Sequence, residues 1–310
     1  MRKYSMPLEI LPLTEEGNGM LFDGTDDYIT MGNVLNVTTG DFTVAGWVKT
    51  TSSDTHDSIL SKRNNAGNGW TVQVSAGVMR AILTDGTSTT LSGTTLINDN
   101  EWHFLVFIFD RDANVTMYLD GQFEASGSLS ASTGSITNTA PLLIGAQDHS
   151  GGLLNIYNGW LKDIMFWDKA LMPYEVIDLY NEGAGASPAI DAGGYESSAN
   201  LQGYWKLDEI SGVSCADSSG NGNRGARTNF TGTYYGTRYN FENYLSFDGT
   251  DDYVLLDSAL DLTSGLSTIS CWYKSPDADT GTVFGNSASA NITLRQTSAT
   301  NIRLYLAGSA

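Results

Sequence analysis

The 310-residue sequence is poor in cysteine, proline and basic residues. Its two cysteines, Cys215 and Cys271, are too few for a disulfide framework. Only 6 prolines stand against 34 glycines, and together with abundant Thr, Ser, Asn and Asp they indicate many strands joined by polar turns. Lysine and arginine total 16 against 35 acidic residues, and the resulting net charge of −19 argues against binding to nucleic acid or to an anionic membrane.

The sequence also lacks the segments that direct a chain into or across a membrane. No apolar run reaches the roughly 18 residues that a transmembrane helix requires, so no membrane insertion is expected. The N-terminus carries Arg2 and Lys3, but Pro7, Glu9 and Pro12 interrupt any apolar region after them. A secretory signal peptide is therefore not predicted. We expect a protein that is made without a standard export signal.

A long internal repeat is the clearest positive feature. Residues 22–49 read FDGTDDYITMGNVLNVTTGDFTVAGWVK, and residues 247–274 read FDGTDDYVLLDSALDLTSGLSTISCWYK. A repeat of this length predicts two copies of one β-rich module. Cys271 stands where Gly46 stands in the first copy, in a predicted core strand, which favours a buried free thiol over a disulfide.

Short apolar or alternating segments predict an all-β fold. Residues 42–49 alternate as a half-buried strand, whereas 103–109 are apolar on both faces, as in a central strand covered on each side. One helix is predicted over 172–183, with Pro173 in its first turn and Gly183 at its end. Further strands are expected at 70–74, 78–83, 115–119, 142–145 and 161–167. The pattern is typical of an antiparallel two-sheet jelly-roll sandwich.

The repeat and its flanks suggest the domain boundaries. They predict an N-terminal arm (1–20), a complete jelly roll (21–183), a linker (184–199) and an incomplete second jelly roll (200–310). The second copy stops soon after the counterpart of the strand at 78–83, so its edges would be unpaired. We expect that the chain continues further or that it functions as an oligomer or as part of a larger assembly.

The segments together resemble the laminin-G-like branch of the concanavalin A-like lectin/glucanase superfamily. The motifs in order are FDGTDDY, FTVAGWVK, ILSK (59–62), EWHFLVFIFD (101–110), MYLDG (117–121), LLIGA (142–146) and GWLKDIMFWDKAL (159–171), and the second copy adds GYWKLDE and DSSGNGN. The resemblance implies concanavalin A-like jelly rolls in tandem that recognise sugars or protein surfaces, often with a bound calcium ion. Such modules occur in bacterial surface proteins, beside secreted enzymes, and in phage tail and capsid proteins.

The resemblance also implies a calcium site. In related folds a calcium ion links the start of the module to its last strand, which corresponds here to Asp23, Asp27 and Asp163. Carboxylates and loop carbonyls are the oxygen ligands that this cation prefers. The alternative is that the sequence from Asp23 to Asp26 forms an ordinary Asx-type turn. The recurrence of the same turn in the second copy does not distinguish these alternatives.

A ligand site is predicted around the connection 147–158. Asp148, His149 and Tyr157 lie in this loop, and Trp70 follows another polar loop, so that aromatic and planar polar groups would be available to a sugar. The alternative for Tyr157 is packing in the core. The tryptophans that lie within strand patterns are expected to be core residues; these are Trp47, Trp102, Trp167, Trp205 and Trp272.

No catalytic motif is found. Glucanases of this superfamily use a Glu-x-Asp-x-x-Glu run, which the sequence lacks, so glycoside hydrolysis has neither an acid nor a nucleophile. We therefore expect a non-enzymatic glycan- or protein-binding or structural module. The favoured context is a phage virion protein (tail fibre, receptor-binding or capsid decoration) whose partners are a cell-surface glycan or other virion proteins. The alternative is a secreted or cell-surface bacterial adhesin, or the binding part of a carbohydrate-active enzyme.

Overall fold

A computed structural model describes residues 19–63, 67–149, 152–209, 212–230, 281–285, 292–298 and 301–306. The chain divides into two compact units, residues 1–239 and 240–310. The second copy of the repeat, with Cys271 and Trp272, lies outside the described residues, as does the predicted arm up to residue 18.

The described residues of the first unit contain seventeen strands. They are β1 (Met20–Asp23), β2 (Tyr28–Gly32), β3 (Phe42–Lys49), β4 (Asp57–Arg63), β5 (Gly69–Ser75), β6 (Val78–Thr84), β7 (Ser88–Ser92), β8 (His103–Phe109), β9 (Asn114–Leu119), β10 (Gln122–Ser128), β11 (Leu142–Ile144), β12 (Gln147–His149), β13 (Gly152–Leu154), β14 (Asn158–Trp167), β15 (Leu201–Trp205), β16 (Ser214–Cys215) and β17 (Gly225–Thr228). They form two large antiparallel sheets and one small hairpin, which confirms the predicted all-β sandwich.

The first sheet has seven strands in the order β1-β14-β3-β8-β9-β10, with β15 also paired to β14. β1 pairs with residues 158–161 of β14 and β15 with residues 164–167, so the two strands share one edge of β14 end to end. Where one partner gives way to the other, the register of β14 with β3 shifts between Lys162 and Met165. Asp163 lies in this bulge with φ 52°, a left-handed conformation that is uncommon for residues other than glycine.

The second sheet has eight strands in the order β16-β17-β2-β11-β4-β5-β6-β7. Alternation along β5 turns Trp70, Val72 and Val74 towards the core. Trp70 packs across the interior on Phe42 and Phe166 of the first sheet, with ring centroids 5.2 and 5.6 Å apart. The main hydrophobic core thus lies between the two sheets.

The other face of the first sheet is also covered. In β8, Phe107 and Phe109 belong to the main core, whereas Phe104 and Val106 belong to a second hydrophobic cluster, as expected for a strand covered on both sides. Leu179 of helix α1 (Pro173–Tyr180) packs in that second cluster.

The predicted helix forms at the expected place. Proline lies in its first turn, and the Met172 N–H donates to the Glu175 carboxylate at 2.9 Å. The helix ends at Asn181, which adopts a left-handed conformation (φ 49°), and a short 3₁₀ turn, Asn181–Gly183, follows. In the described residues, no helix has the length and apolarity that crossing a bilayer requires.

The segment expected to open the second domain belongs instead to the first sandwich. β15 pairs with β14 in one sheet and β17 pairs with β2 in the other. Trp205, Leu207 and Cys215 are fully buried in the core between the sheets. The motifs GYWKLDE and DSSGNGN were assigned to the second copy by their position, but a local pattern specifies the buried face of a strand and not its neighbour.

The predicted linker is likewise part of this unit. Tyr195 is buried, receives a hydrogen bond from Trp167 Nε1 at 2.8 Å and donates one to the Pro188 carbonyl at 2.7 Å. The Ser197 hydroxyl donates to Glu175 of the helix. Residues 184–199 therefore pack on the first sheet rather than separate two domains.

In the second unit, the described residues form a three-stranded antiparallel sheet. Its strands are β18 (Gly281–Gly285), β19 (Ile292–Ser298) and β20 (Asn301–Leu306), joined in sequence order.

Candidate functional site

The acidic turn between β1 and β2 brings three carboxylates together. One carboxylate oxygen from each of Asp23, Asp26 and Asp27 lies within 4.8 Å of the others. The turn depends on Gly24, which has φ 76° and whose added Cβ would lie 2.8 Å from Asn158 Cβ. Backbone N–H groups of Thr25 and Asp26 donate to Asp23 Oδ1 at 2.8 and 3.4 Å, so the Asx-type turn is present.

Asp27 is the unusual member of this group. Its side chain is 1% exposed, Oδ2 accepts a hydrogen bond from the Asp23 N–H at 3.1 Å, and Oδ1 is buried with no partner among the described residues. Burial raises the pKa of Asp27 to about 6, and the charges of Asp23 and Asp26 act in the same direction. The turn therefore concentrates negative charge that the described protein groups do not compensate.

Asp163 does not join this group. β1 ends with Asp23 opposite Asn158, and Asp163 lies five residues further along β14, about 16 Å away at the usual strand rise. Its Oδ1 instead accepts a hydrogen bond from the Tyr204 hydroxyl at 2.7 Å. The predicted ligand set is thus divided: Asp23 and Asp27 lie together, while Asp163 belongs to another surface.

The predicted sugar-binding loop forms a hairpin, and its aromatic residue lies in the core. Asp148 and His149 belong to β12, and the Asp148 side chain is partly exposed. Tyr157 is fully buried, packs on Phe22 at 6.1 Å and donates from its hydroxyl to the Trp160 carbonyl at 3.4 Å.

Trp70 is also buried, with 1% of its surface exposed. Trp70 and Tyr157 are therefore packing residues, and neither side chain is available to a ligand in this structure. Of the predicted core tryptophans, Trp47, Trp167 and Trp205 are buried, while Trp102 is only partly buried.

A cavity of about 330 Å³ opens on the outer face of the seven-stranded sheet. Its floor consists of Trp47 from β3, Phe104 from β8, and Lys162, Asp163 and Met165 from β14. The Lys162 ammonium lies over the Trp47 and Trp102 rings, 5.0 and 4.5 Å from their centroids.

The walls of the cavity come from segments that follow α1 in sequence. One wall is formed by residues 184–187 with Ala189, and the other by Tyr204, Lys206 and Ser218. The sequence did not reveal this site, because residues 184–206 resembled a linker and the start of a second domain. The left-handed Asp163 lies where the partners of β14 change, and no local sequence pattern reveals this change.

The comparisons with known proteins agree with the fold. A model of the concanavalin A-like lectin/glucanases superfamily matches residues 23–177. No curated protein matches the chain. A candidate carbohydrate-binding protein from Bacteroides ovatus has a similar structure, with a TM-score of 0.54 and 16% identity over 72% of this chain. The chain covers 61% of the length of that protein.

Two other solved structures are similar over smaller parts of the chain. A SAP-like pentraxin from Limulus polyphemus has a TM-score of 0.43 and 18% identity, with 55% of this chain and 84% of the pentraxin covered. Domains LG4-5 of the mouse laminin alpha1 chain have a TM-score of 0.41 and 16% identity, with 48% and 41% covered.

The sequence match and the sandwich together identify the family of this chain. The matched region covers half of the chain and contains the acidic turn, the central strands and most of helix α1. Its strands form the two facing antiparallel sheets described above. The chain belongs to the concanavalin A-like lectin/glucanases superfamily.

Proposed function

We propose that this protein is a non-enzymatic binding protein that recognises a glycan and holds a calcium ion at its acidic turn. The superfamily sandwich supports a binding role. The observation that carries the proposal is the buried Asp27 Oδ1, which has no partner among the described residues and lies beside the carboxylates of Asp23 and Asp26. A buried carboxylate without compensation is unfavourable, and a bound cation would provide that compensation.

The donor set of this turn fits calcium. The ion prefers carboxylate and carbonyl oxygens and takes about six to eight of them. Asp23, Asp26 and Asp27 each offer a carboxylate oxygen, so other positions would remain for loop carbonyls, water and the hydroxyls of a ligand. A bound calcium ion would supply positive charge and oxygen-binding positions at this edge of the sandwich.

Calcium titration followed by thermal unfolding tests the metal site. Because binding to the folded state alone raises the unfolding temperature, millimolar calcium should stabilise the wild type, and EDTA should reverse the effect. Asp27→Asn should respond less, whereas Asp112→Asn, which changes an exposed turn acid, should respond like the wild type. An equal response of all three proteins would show that the turn holds no specific ion.

A glycan array probed with and without calcium tests the binding function. We expect wild-type hits that weaken in EDTA and in Asp27→Asn. Hits that persist without calcium would show that glycan binding does not depend on a bound calcium ion. The absence of any hit across host-derived polysaccharides would contradict glycan recognition.

For the biological context, we propose a phage virion protein that functions as a tail fibre, a receptor-binding protein or a capsid decoration. The family resemblance supports this context. The rival is an extracellular bacterial adhesin or the binding part of a carbohydrate-active enzyme. Mass spectrometry of purified phage particles should detect the protein, whereas its recovery from the bacterial surface alone would favour the rival.

A further inference from the structure

We propose that the cavity on the outer face of the seven-stranded sheet is a sugar-binding pocket that holds one or two sugar rings, with Asp163 accepting hydrogen bonds from sugar hydroxyls. This inference rests on the proposed glycan binding and assigns it a place. The pocket lies about 16 Å along β14 from the acidic turn, so the two sites are separate.

The size of the cavity suits a small part of a glycan. At about 30 Å³ for each water molecule, its volume of about 330 Å³ equals that of roughly eleven waters. This space accommodates one or two rings at the end of a glycan or along it. Pockets at this lower end of the usual range bind small ligands rather than extended surfaces.

Asp163 is the polar group around which the site is built. A left-handed φ is unfavourable for a residue with a side chain, and such strain is found where the surrounding structure holds it in place. Here the Asp163 N–H donates to the Lys206 carbonyl at 3.1 Å, and the Tyr204 hydroxyl donates to Oδ1 at 2.7 Å. Asp163 lines the cavity, and no hydrogen bond from the described residues reaches its Oδ2, which we assign as the acceptor for a ligand hydroxyl.

The rest of the lining complements a sugar ring. Trp47 and Phe104 form the floor of the cavity, but they are 5% and 1% exposed and Tyr180 stacks on both rings, so they bound the space and offer no open ring face to a ligand. Ser187 and Ser218 contribute hydroxyls that both donate and accept, and the Lys206 ammonium adds a donor. A carboxylate acceptor and several hydroxyl and ammonium donors together match the hydroxyl groups of a sugar.

The wall over the cavity is held in place before any ligand arrives. The Ala186 N–H donates to the Leu179 carbonyl at 2.9 Å, and the Gly185 N–H donates to the Tyr180 carbonyl at 3.1 Å, which ties the segment to the end of α1. A wall fixed in this way lowers the ordering cost of binding.

Binding measurements on the full chain test the pocket. The probes are methyl glycosides of glucose, galactose, mannose and N-acetylglucosamine, together with the best hits of a glycan array, with affinities measured by calorimetry. Ala186→Trp fills the cavity from its wall, and Asp163→Asn removes the charged acceptor. Ala199→Trp is the matched control, because Ala199 is exposed and does not line the cavity.

We expect wild type and Ala199→Trp to bind with the same affinity. Ala186→Trp should lose about tenfold or more in affinity because the new side chain fills the cavity, and Asp163→Asn should lose about as much because a charged hydrogen-bond acceptor is removed. Unfolding temperatures show whether Ala186→Trp and Asp163→Asn fold. If one of them does not, the affinity of the other provides the test. If the folded cavity variants bound glycans as tightly as the wild type, the sugar would not bind in this cavity, although glycan recognition by the protein would stand. If the wild type bound none of the probes, the proposed glycan-binding function itself would be wrong.

Discussion

At the residue scale, the burial of a side chain differs from what the local sequence suggests, because it depends on residues that are distant in sequence and pack against it in the fold. Trp70 follows a polar loop and was expected to face a ligand, yet Phe42 and Phe166 from the opposite sheet enclose its ring. Lys62 shows the same effect for a charged residue. Its side chain is 1% exposed, and its ammonium donates to Asn33 Oδ1 and to the Ala140 carbonyl, each at 2.6 Å.

The buried lysine predicts a stability change at alkaline pH. Burial lowers the pKa of Lys62 to about 8, below its usual value of 10.5. Between these values the unfolded chain binds more protons than the folded one, so this residue makes folding more favourable as pH rises from about 8 to 10.

Chemical denaturation at several pH values measures this contribution. Lys62→Met should remove the rise in unfolding free energy over that range, whereas Lys49→Met, at the more exposed end of β3, should retain it. Identical pH profiles for the wild type and Lys62→Met would show that Lys62 titrates as it does in the unfolded chain.

At the element scale, the sequence predicted the strands better than their partners. The central strand β8, the helix and the turn residues follow from periodicity and local chemistry. β15 overlaps the GYWKLDE segment and β17 follows the DSSGNGN segment, and both segments were assigned to the second copy of the repeat because they precede it. Their pairing with β14 and β2 is a long-range choice that no window of sequence contains.

Trp205 offers a direct test of that pairing. It is fully buried in the core of the first unit, and its Nε1 donates to the Asn223 carbonyl at 2.8 Å. Trp205→Ala should lower the unfolding free energy of this unit by about 3–5 kcal/mol, as expected for a large core truncation. Amide hydrogen exchange should also become faster along β2 and β14.

The control for this test is Tyr174→Ala, because Tyr174 is 52% exposed on α1 and its loss should affect stability little. If Trp205→Ala left exchange along β2 and β14 unchanged, the segment 201–228 would not belong to the first sandwich.

At the scale of the whole molecule, the fold class could be predicted and the location of the sites only in part. Sandwich architecture follows from many short alternating strands and from the motif order that resembles the superfamily. The acidic turn was also visible, since its three aspartates are adjacent in sequence. The cavity was not, because its lining residues, from Trp47 to Ser218, meet only after β15 has paired with β14.

The acidity of the whole chain leads to a last prediction, on salt dependence. A net charge of −19 implies repulsion among carboxylates in the folded state, and salt reduces it because the Debye length falls from about 30 Å at 0.01 M to about 8 Å at 0.15 M. Raising NaCl over this range should therefore raise the unfolding temperature of wild type and Asp27→Asn alike. At matched ionic strength, CaCl₂ should stabilise the wild type further and leave Asp27→Asn at the NaCl level. If CaCl₂ and NaCl stabilised the wild type equally, its response to calcium would be screening alone, and the acidic turn would hold no ion of its own.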